Sequence, residues 1–176
     1  GGLTLSGGES LMQPDFASAL MQAAHERGIN TAMESTGLAP FRVIAEKILP
    51  HLDLYLMDIK HTDREKHKFF TGVSNELILE NAKKIAASAQ NLVIRVPVVP
   101  GFNATEGEIL EIARFAASLP GVERLHLLPY HRLGMDKYAG LGRDYTLSSV
   151  QPPSNELMQR LMDAASVTGL RVRIGG

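Results

Sequence analysis

Leu92-Val93-Ile94-Arg95-Val96-Pro97-Val98-Val99-Pro100-Gly101 is an apolar, β-branched run that carries one arginine and then stops at proline and glycine. Valine and isoleucine favour strands, and a run without polar alternation predicts a strand buried on both faces over Leu92–Val98. Pro97 and Pro100-Gly101 end it sharply. The same pattern recurs along the chain. Leu3–Ser6 leads into Thr4-Leu5-Ser6-Gly7-Gly8-Glu9, Asp53–Ile59 ends in Met57-Asp58-Ile59-Lys60, and Arg124–Leu128 leads into Leu127-Leu128-Pro129-Tyr130-His131. Polar groups gathered at the ends of successive buried strands are how a β/α barrel builds a site on one face.

Helical periodicity fills the intervals. Asp15–Arg27 places Phe16, Ala19, Leu20 and Ala23 on one face and stops at Gly28. After a strand at Ile29–Met33, helices are predicted near Phe41–Leu49, over Asp63–Phe70 and over Glu76–Ser88, with the turn Gly72-Val73-Ser74 between the last two. Glu106–Ser118 is a helix stopped by Pro120-Gly121. Asn155–Thr168 is another, and Leu170–Ile174 is a weak last strand. Alternating strands and helices imply a parallel sheet with right-handed crossovers. A closed eight-stranded barrel needs roughly 200–250 residues, and this chain has 176. The expected class is therefore α/β, a partial (β/α)6 TIM-like barrel in one domain over residues 1–176. The longest irregular stretch, Tyr130–Pro153, contains Gly134, Gly140 and Gly142, and so long a loop is usually functional or disordered.

Composition sets further bounds. The hydrophobic content of 44% supports a sizeable core, and the formal net charge of −1 favours neither nucleic acid nor an anionic membrane surface. No apolar run reaches the roughly 18–20 residues of a membrane span, and no secretory signal pattern is visible. A cytoplasmic protein is expected. Cysteine is absent, which rules out disulfides and thiolate-held zinc or iron–sulfur within this chain. The chain opens directly into a strand pattern, so it is expected to be a fragment whose preceding segment, with the first βα unit, is left out.

Several residues could carry chemistry. Gly7 and Gly8 allow close backbone approach to a ligand, with Glu9 placed to hold an ammonium group; a tight turn explains the glycines equally. Asp58 and Lys60 share a strand face, as an inward charged pair or as an ion pair at the rim. Glu34, in Glu34-Ser35-Thr36-Gly37, could bind a cation or a substrate ammonium, or the segment could be a helix cap and turn. Arg95, alone in its apolar strand, needs a carboxylate or phosphate partner, from a ligand or as an acid on a neighbouring strand. His131 could hydrogen-bond a ligand or sit in solvent. His25, His51, His61 and His67 show no ligand spacing. His126 and His131 fall on opposite faces of an extended strand. No metal site built by the protein is expected.

Together these motifs resemble the glycyl-radical enzyme activating enzymes, the radical S-adenosylmethionine family typified by the pyruvate formate-lyase activator. The resemblance runs from Gly1-Gly2-Leu3 through Glu9, and through Glu34–Gly37, Met57–Lys60, Thr71-Gly72-Val73-Ser74-Asn75, Arg95–Gly101, Leu127–Gly134 and Lys137-Tyr138 to Leu141-Gly142. It implies that Gly7, Gly8 and Glu9 hold the amino end of S-adenosyl-L-methionine. Ser35, Asp58, Ile59 and Lys60 would line the cofactor, with Arg95 and His131 near its carboxylate, ribose or adenine. Glu34, often Asp in the family, would with Asp58 place a monovalent cation.

The implied chemistry is reduction of S-adenosyl-L-methionine by a 4Fe-4S cluster and hydrogen abstraction from a glycine of a partner glycyl-radical enzyme. A flavodoxin- or ferredoxin-type protein would donate the electron. The family's Cys-x-x-x-Cys-x-x-Cys motif is missing, so this chain alone is expected to bind no cluster and to be inactive. Ser10 stands where many relatives carry proline. Pro97 with Phe102-Asn103 looks more like activators with a ferredoxin-like insert. Two other readings stay open: a radical enzyme acting on a small molecule or RNA, and a non-enzymatic binding scaffold.

Overall fold

The computed structural model describes residues 1–132, 140, 142 and 147–176. Six strands, β1 (Gly2–Leu5), β2 (Asn30–Ser35), β3 (Leu54–Asp58), β4 (Leu92–Val98), β5 (Arg124–Pro129) and β6 (Arg171–Ile174), form one parallel sheet in chain order. β1 and β6 are its edges. The sheet is open, as expected of a partial TIM-like barrel, and the weak terminal strand is its sixth member. Because the strands follow one another in order, right-handed crossovers put every connecting helix on the same side. Met33, Tyr55, Met57, Ile94, Val96, Leu125 and Leu127 point to that side and are fully buried. The residues between them face the other way, and that inner face carries Glu34, Asp58, Arg95 and His126.

The helices described are α1 (Pro14–His25), α2 (Phe41–Val43), α3 (Arg64–Thr71), α4 (Glu76–Ser88), α5 (Glu106–Ala117) and α6 (Asn155–Ser166). Asp63 caps α3 by accepting from the Lys66 amide at 2.7 Å, and Ser154 caps α6 by accepting from the Leu157 amide at 3.2 Å. Thr105 and Glu108 form a reciprocal pair at the start of α5.

The segment expected to be a helix near Phe41–Leu49 is irregular. It passes from α2 into a π-turn at Ile44–Ile48 and a 3-10 turn at Leu49–His51. Pro50 supplies no amide, and the wide π-turn buries both Ile44 and Ile48 against the core. β2 runs two residues beyond its expected end because Glu34 and Ser35 pair with Leu56 and Met57 of β3. Leu133, Gly134, Lys137, Tyr138 and Leu141 lie outside the described residues. No described helix is long and apolar enough to cross a membrane.

Candidate functional site

The register of β3 on β4 places Asp58 beside Arg95. Arg95 Nε donates to Asp58 Oδ1 at 2.9 Å, and its Nη1 donates to Glu34 Oε1 at 2.5 Å. Ser6 Oγ donates to the other Glu34 oxygen at 2.6 Å. One guanidinium thus ties the C-terminal ends of β2, β3 and β4 together. Asp58 takes Arg95 as its partner rather than Lys60, and the two acids expected to flank a monovalent cation are bridged by Arg95. Among the described residues, no group of three or more metal-ligating side chains could hold a metal.

Each charge carries the mark of this arrangement. Burial works against the Glu34 carboxylate, but the hydrogen bonds from Arg95 and Ser6 and the Arg95 charge outweigh it and hold its pKa below the ordinary value. For Asp58 burial wins: its pKa is raised, although Arg95 and Lys60 pull it down. Burial likewise opposes the Arg95 charge, and the two carboxylates more than restore it, so its pKa is raised.

Glu9 has a different role from the one its motif suggests. Its carboxylate accepts four hydrogen bonds: from Ser35 Oγ at 2.6 Å, from the Thr36 amide at 3.0 Å and hydroxyl at 2.7 Å, and from the Leu11 amide at 3.2 Å. That uses about all the acceptor capacity a carboxylate has. Glu9 therefore pins the Gly7-Gly8 turn to the end of β2, and no lone pair is left over for an ammonium group. Ser35 is the relay, since its Oγ also accepts from the Gly37 amide at 3.0 Å.

Gly7, Gly8, Glu9, Glu34, Ser35, Thr36, Asp58, Lys60 and Arg95 line one cavity of about 280 Å³. Gly7 has a φ of 116°, and nothing lies within 4 Å of where a side chain would begin on Gly7 or Gly8. The glycines thus leave an open backbone cradle at the cavity wall. Lys60 is held by its backbone: Asn103, fully buried, donates from Nδ2 to the carbonyls of Lys60 and Pro97, each at 2.8 Å. Two expected residues stand apart. Ile59 turns its side chain into the core, and its amide pairs with the Arg95 carbonyl at 2.9 Å. His131 is exposed beyond β5 and does not line the cavity. Thr36 and Ser6 were not singled out by sequence. Both sit inside the quoted motifs, but their roles need the tertiary contacts with Glu9 and Glu34.

The family model described as the radical SAM superfamily matches residues 1–116. The chain belongs to the radical SAM superfamily. It is 44% identical over 176 residues to the isethionate sulfite-lyase activating enzyme of Desulfovibrio desulfuricans, covering 99% of this chain and 56% of that protein. It is 40% identical over 172 residues to the indoleacetate decarboxylase activating enzyme of Tractidigestivibacter scatoligenes, covering 97% of this chain and 54% of that protein. The chain thus spans about half the length of these curated relatives. A crystallised domain of pyruvate-formate lyase-activating enzyme from Bacteroides vulgatus superposes with a TM-score of 0.82 at 33% identity, covering 100% of this chain and 99% of that one. At 12% identity, a radical SAM methyltransferase from Sphaerobacter thermophilus shares the fold, with a TM-score of 0.68.

The superfamily uses S-adenosyl-L-methionine and a 4Fe-4S cluster. The cavity suits the first: it offers an open glycine cradle, two carboxylates for a cationic ligand and the Lys60 ammonium for a carboxylate. The residues of this radical SAM chain do not suit the second, because it contains no cysteine to supply thiolates.

Proposed function

We propose that this chain is the cofactor-positioning barrel of a glycyl-radical enzyme activating enzyme, an oxidoreductase whose substrate is a glycine of a partner protein such as pyruvate formate-lyase. The observation that carries the reading is the convergence of Gly7, Gly8, Glu34, Asp58, Lys60 and Arg95 on one cavity at the C-terminal ends of four strands. The activating-enzyme names of relatives 40–47% identical support it.

S-adenosyl-L-methionine, when bound, supplies the carbon–sulfur bond whose one-electron cleavage is the family's chemistry. The chain's own residues bind and orient. The backbone at Gly7 and Gly8 receives the amino end. Asp58 and Glu34 set a negative wall against a cationic ligand, and Lys60 meets its carboxylate. Arg95 is a positioning residue, since its Nε and Nη1 donate to the two acids. Ser35 and Glu9 hold the glycine turn, Ile59 fixes the backbone between Asp58 and Lys60, and His131 approaches the adenosine side from beyond β5. Without thiolates this chain alone does not carry out the redox step. A flavodoxin- or ferredoxin-type donor completes the system.

The test joins this chain to a segment bearing Cys-x-x-x-Cys-x-x-Cys, reconstitutes the cluster, and adds reductant, S-adenosylmethionine and a glycyl-radical enzyme. A glycyl radical signal in electron paramagnetic resonance is expected. Turnover to a small-molecule product with no protein radical would overturn the proposal.

A further inference from the structure

The β5–β6 half of the inner face is basic and unmatched. Strand register sets Arg124 beside Arg171 and His126 beside Arg173, with Arg95 on the other side of His126. Leu125 and Leu127 are fully buried on the helix side, so Arg124 and His126 share the inner face. Arg95 is taken by Glu34 and Asp58, and Arg171 by Glu123. Arg124 and Arg173 have no ion pair among the described residues. His126 is only 6% exposed, and its Nδ1 has no hydrogen-bond partner. A buried ring nitrogen left unpaired is uncommon in a folded protein. Arg173 lies opposite His126 on the next strand and Arg124 lies two residues before it on its own strand, so two guanidinium groups without an ion pair flank the ring.

A single carboxylate satisfies all three groups. A carboxylate matches a guanidinium fork and can also accept from a ring N–H. Burial first, then the charges of Arg173, Arg124 and Arg95, push the His126 pKa down to about 4. The imidazole is therefore neutral near pH 7 and can carry its proton on Nδ1, adding a donor without adding another repelling charge.

We propose that Arg124, His126 and Arg173 form a carboxylate-binding site on the inner face, separate from the cavity at the ends of β1–β4. The carboxylate has two sources: a free organic acid, or an aspartate or glutamate side chain of a polypeptide laid across the inner face. The site requires neither S-adenosylmethionine nor the activity proposed above, so its test stands apart from the test of that activity.

The experiment follows the His126 ring nitrogens by NMR in the 176-residue chain at pH 6.5. Sodium acetate is titrated in at constant ionic strength, with sodium chloride as its replacement. A saturable shift toward the Nδ1-protonated tautomer is expected. It should weaken about tenfold in Arg173→Gln and in Arg124→Gln, the ratio for losing one charge-assisted hydrogen bond. Arg173 is exposed, so Arg173→Gln keeps the fold and decides the matter if Arg124→Gln does not. A response that rises linearly without saturation, that chloride reproduces, or that Arg173→Gln leaves unchanged would overturn the proposal. Two glycine-containing peptides, one with aspartate and one with asparagine at the same place, then compete against acetate. Displacement by the aspartate peptide alone supports the site with a side-chain source. Displacement by neither, with acetate still saturating, supports it with a free acid as the source.

Discussion

Replacing Arg95 by methionine removes the cation that Glu34 and Asp58 share while filling most of its volume. Breaking one partner out of a buried ion pair costs about 3–5 kcal/mol. The side chains of Asp58 and Glu34 are 20% and 30% exposed, so water recovers part of that, and the expected loss at pH 7 is about 2–3 kcal/mol. For a chain of this size, with a urea slope of about 2 kcal/mol per molar, the unfolding midpoint falls by about 1–1.5 M. The pH dependence identifies the cause. In the parent, Glu34 is held low; its contribution is full above the ordinary carboxylate value and is lost as pH falls through the lowered one. In the variant, both acids lose their cation: Glu34 rises above its unfolded value, and Asp58, already raised by burial in the parent, rises further. Their penalty is full at pH 7 and is relieved as pH drops through those raised values. The deficit relative to the parent should therefore be clearly smaller at pH 5 than at pH 7. An equal deficit at both pH values, or one below about 0.5 kcal/mol, would refute the reasoning.

Glu9→Gln turns an acceptor-only group into a partial donor facing four donors; it should cost about 1–3 kcal/mol and speed amide exchange at Leu11 and Thr36, and unchanged exchange there would count against the brace. Gly37→Ala puts a side chain on a residue with φ of 72° and within 2.8 Å of Met57 Cε. A loss of about 1–2 kcal/mol by urea unfolding is expected, and a neutral result would contradict the strain. Asn103→Ala strands the Lys60 and Pro97 carbonyls and the Val99 amide. Its cost of about 2–3 kcal/mol should lower the melting temperature by about 5–10 °C, with weaker ligand binding through Lys60. Calorimetry of the chain with S-adenosylmethionine should give an affinity weaker than micromolar, since no cluster iron is present to chelate the methionine end; micromolar or tighter binding would contradict that reading.

The fold was largely legible because its signals are local. The apolar run at Leu54–Asp58 and the Val- and Ile-rich run at Leu92–Val98 are strands, and Gly28 and Gly72 stop helices where left-handed φ is needed. What failed locally failed for tertiary reasons. The helix predicted near Phe41–Leu49 widens into a π-turn so that Ile44 and Ile48 both reach the core. The site was legible as a set of residue types, less so as a set of partners. Spacing puts Asp58 and Lys60 on one face, but only the β3–β4 register reveals that Asp58 meets Arg95. A Gly-Gly-Glu motif marks a close backbone turn, yet nothing in it tells that Ser35 and Thr36, 26 and 27 residues on, saturate the glutamate. His126 is unremarkable between leucines in the sequence; the register of β4 and β6 sets Arg95 and Arg173 on either side of it.

The central claim is that the polar ends of β1–β4 make one pocket for the methionine end of the cofactor. Backbone NMR of the isotope-labelled chain, titrated with S-adenosylmethionine to millimolar concentration, tests it directly. Gly7, Gly8, Thr36 and Lys60 are expected to shift together with one dissociation constant, while Asn30, Asp53 and Asn91 at the N-terminal ends of β2, β3 and β4 stay still. Shifts confined to those N-terminal ends, or separate constants for the glycine turn and Lys60, would contradict the single pocket.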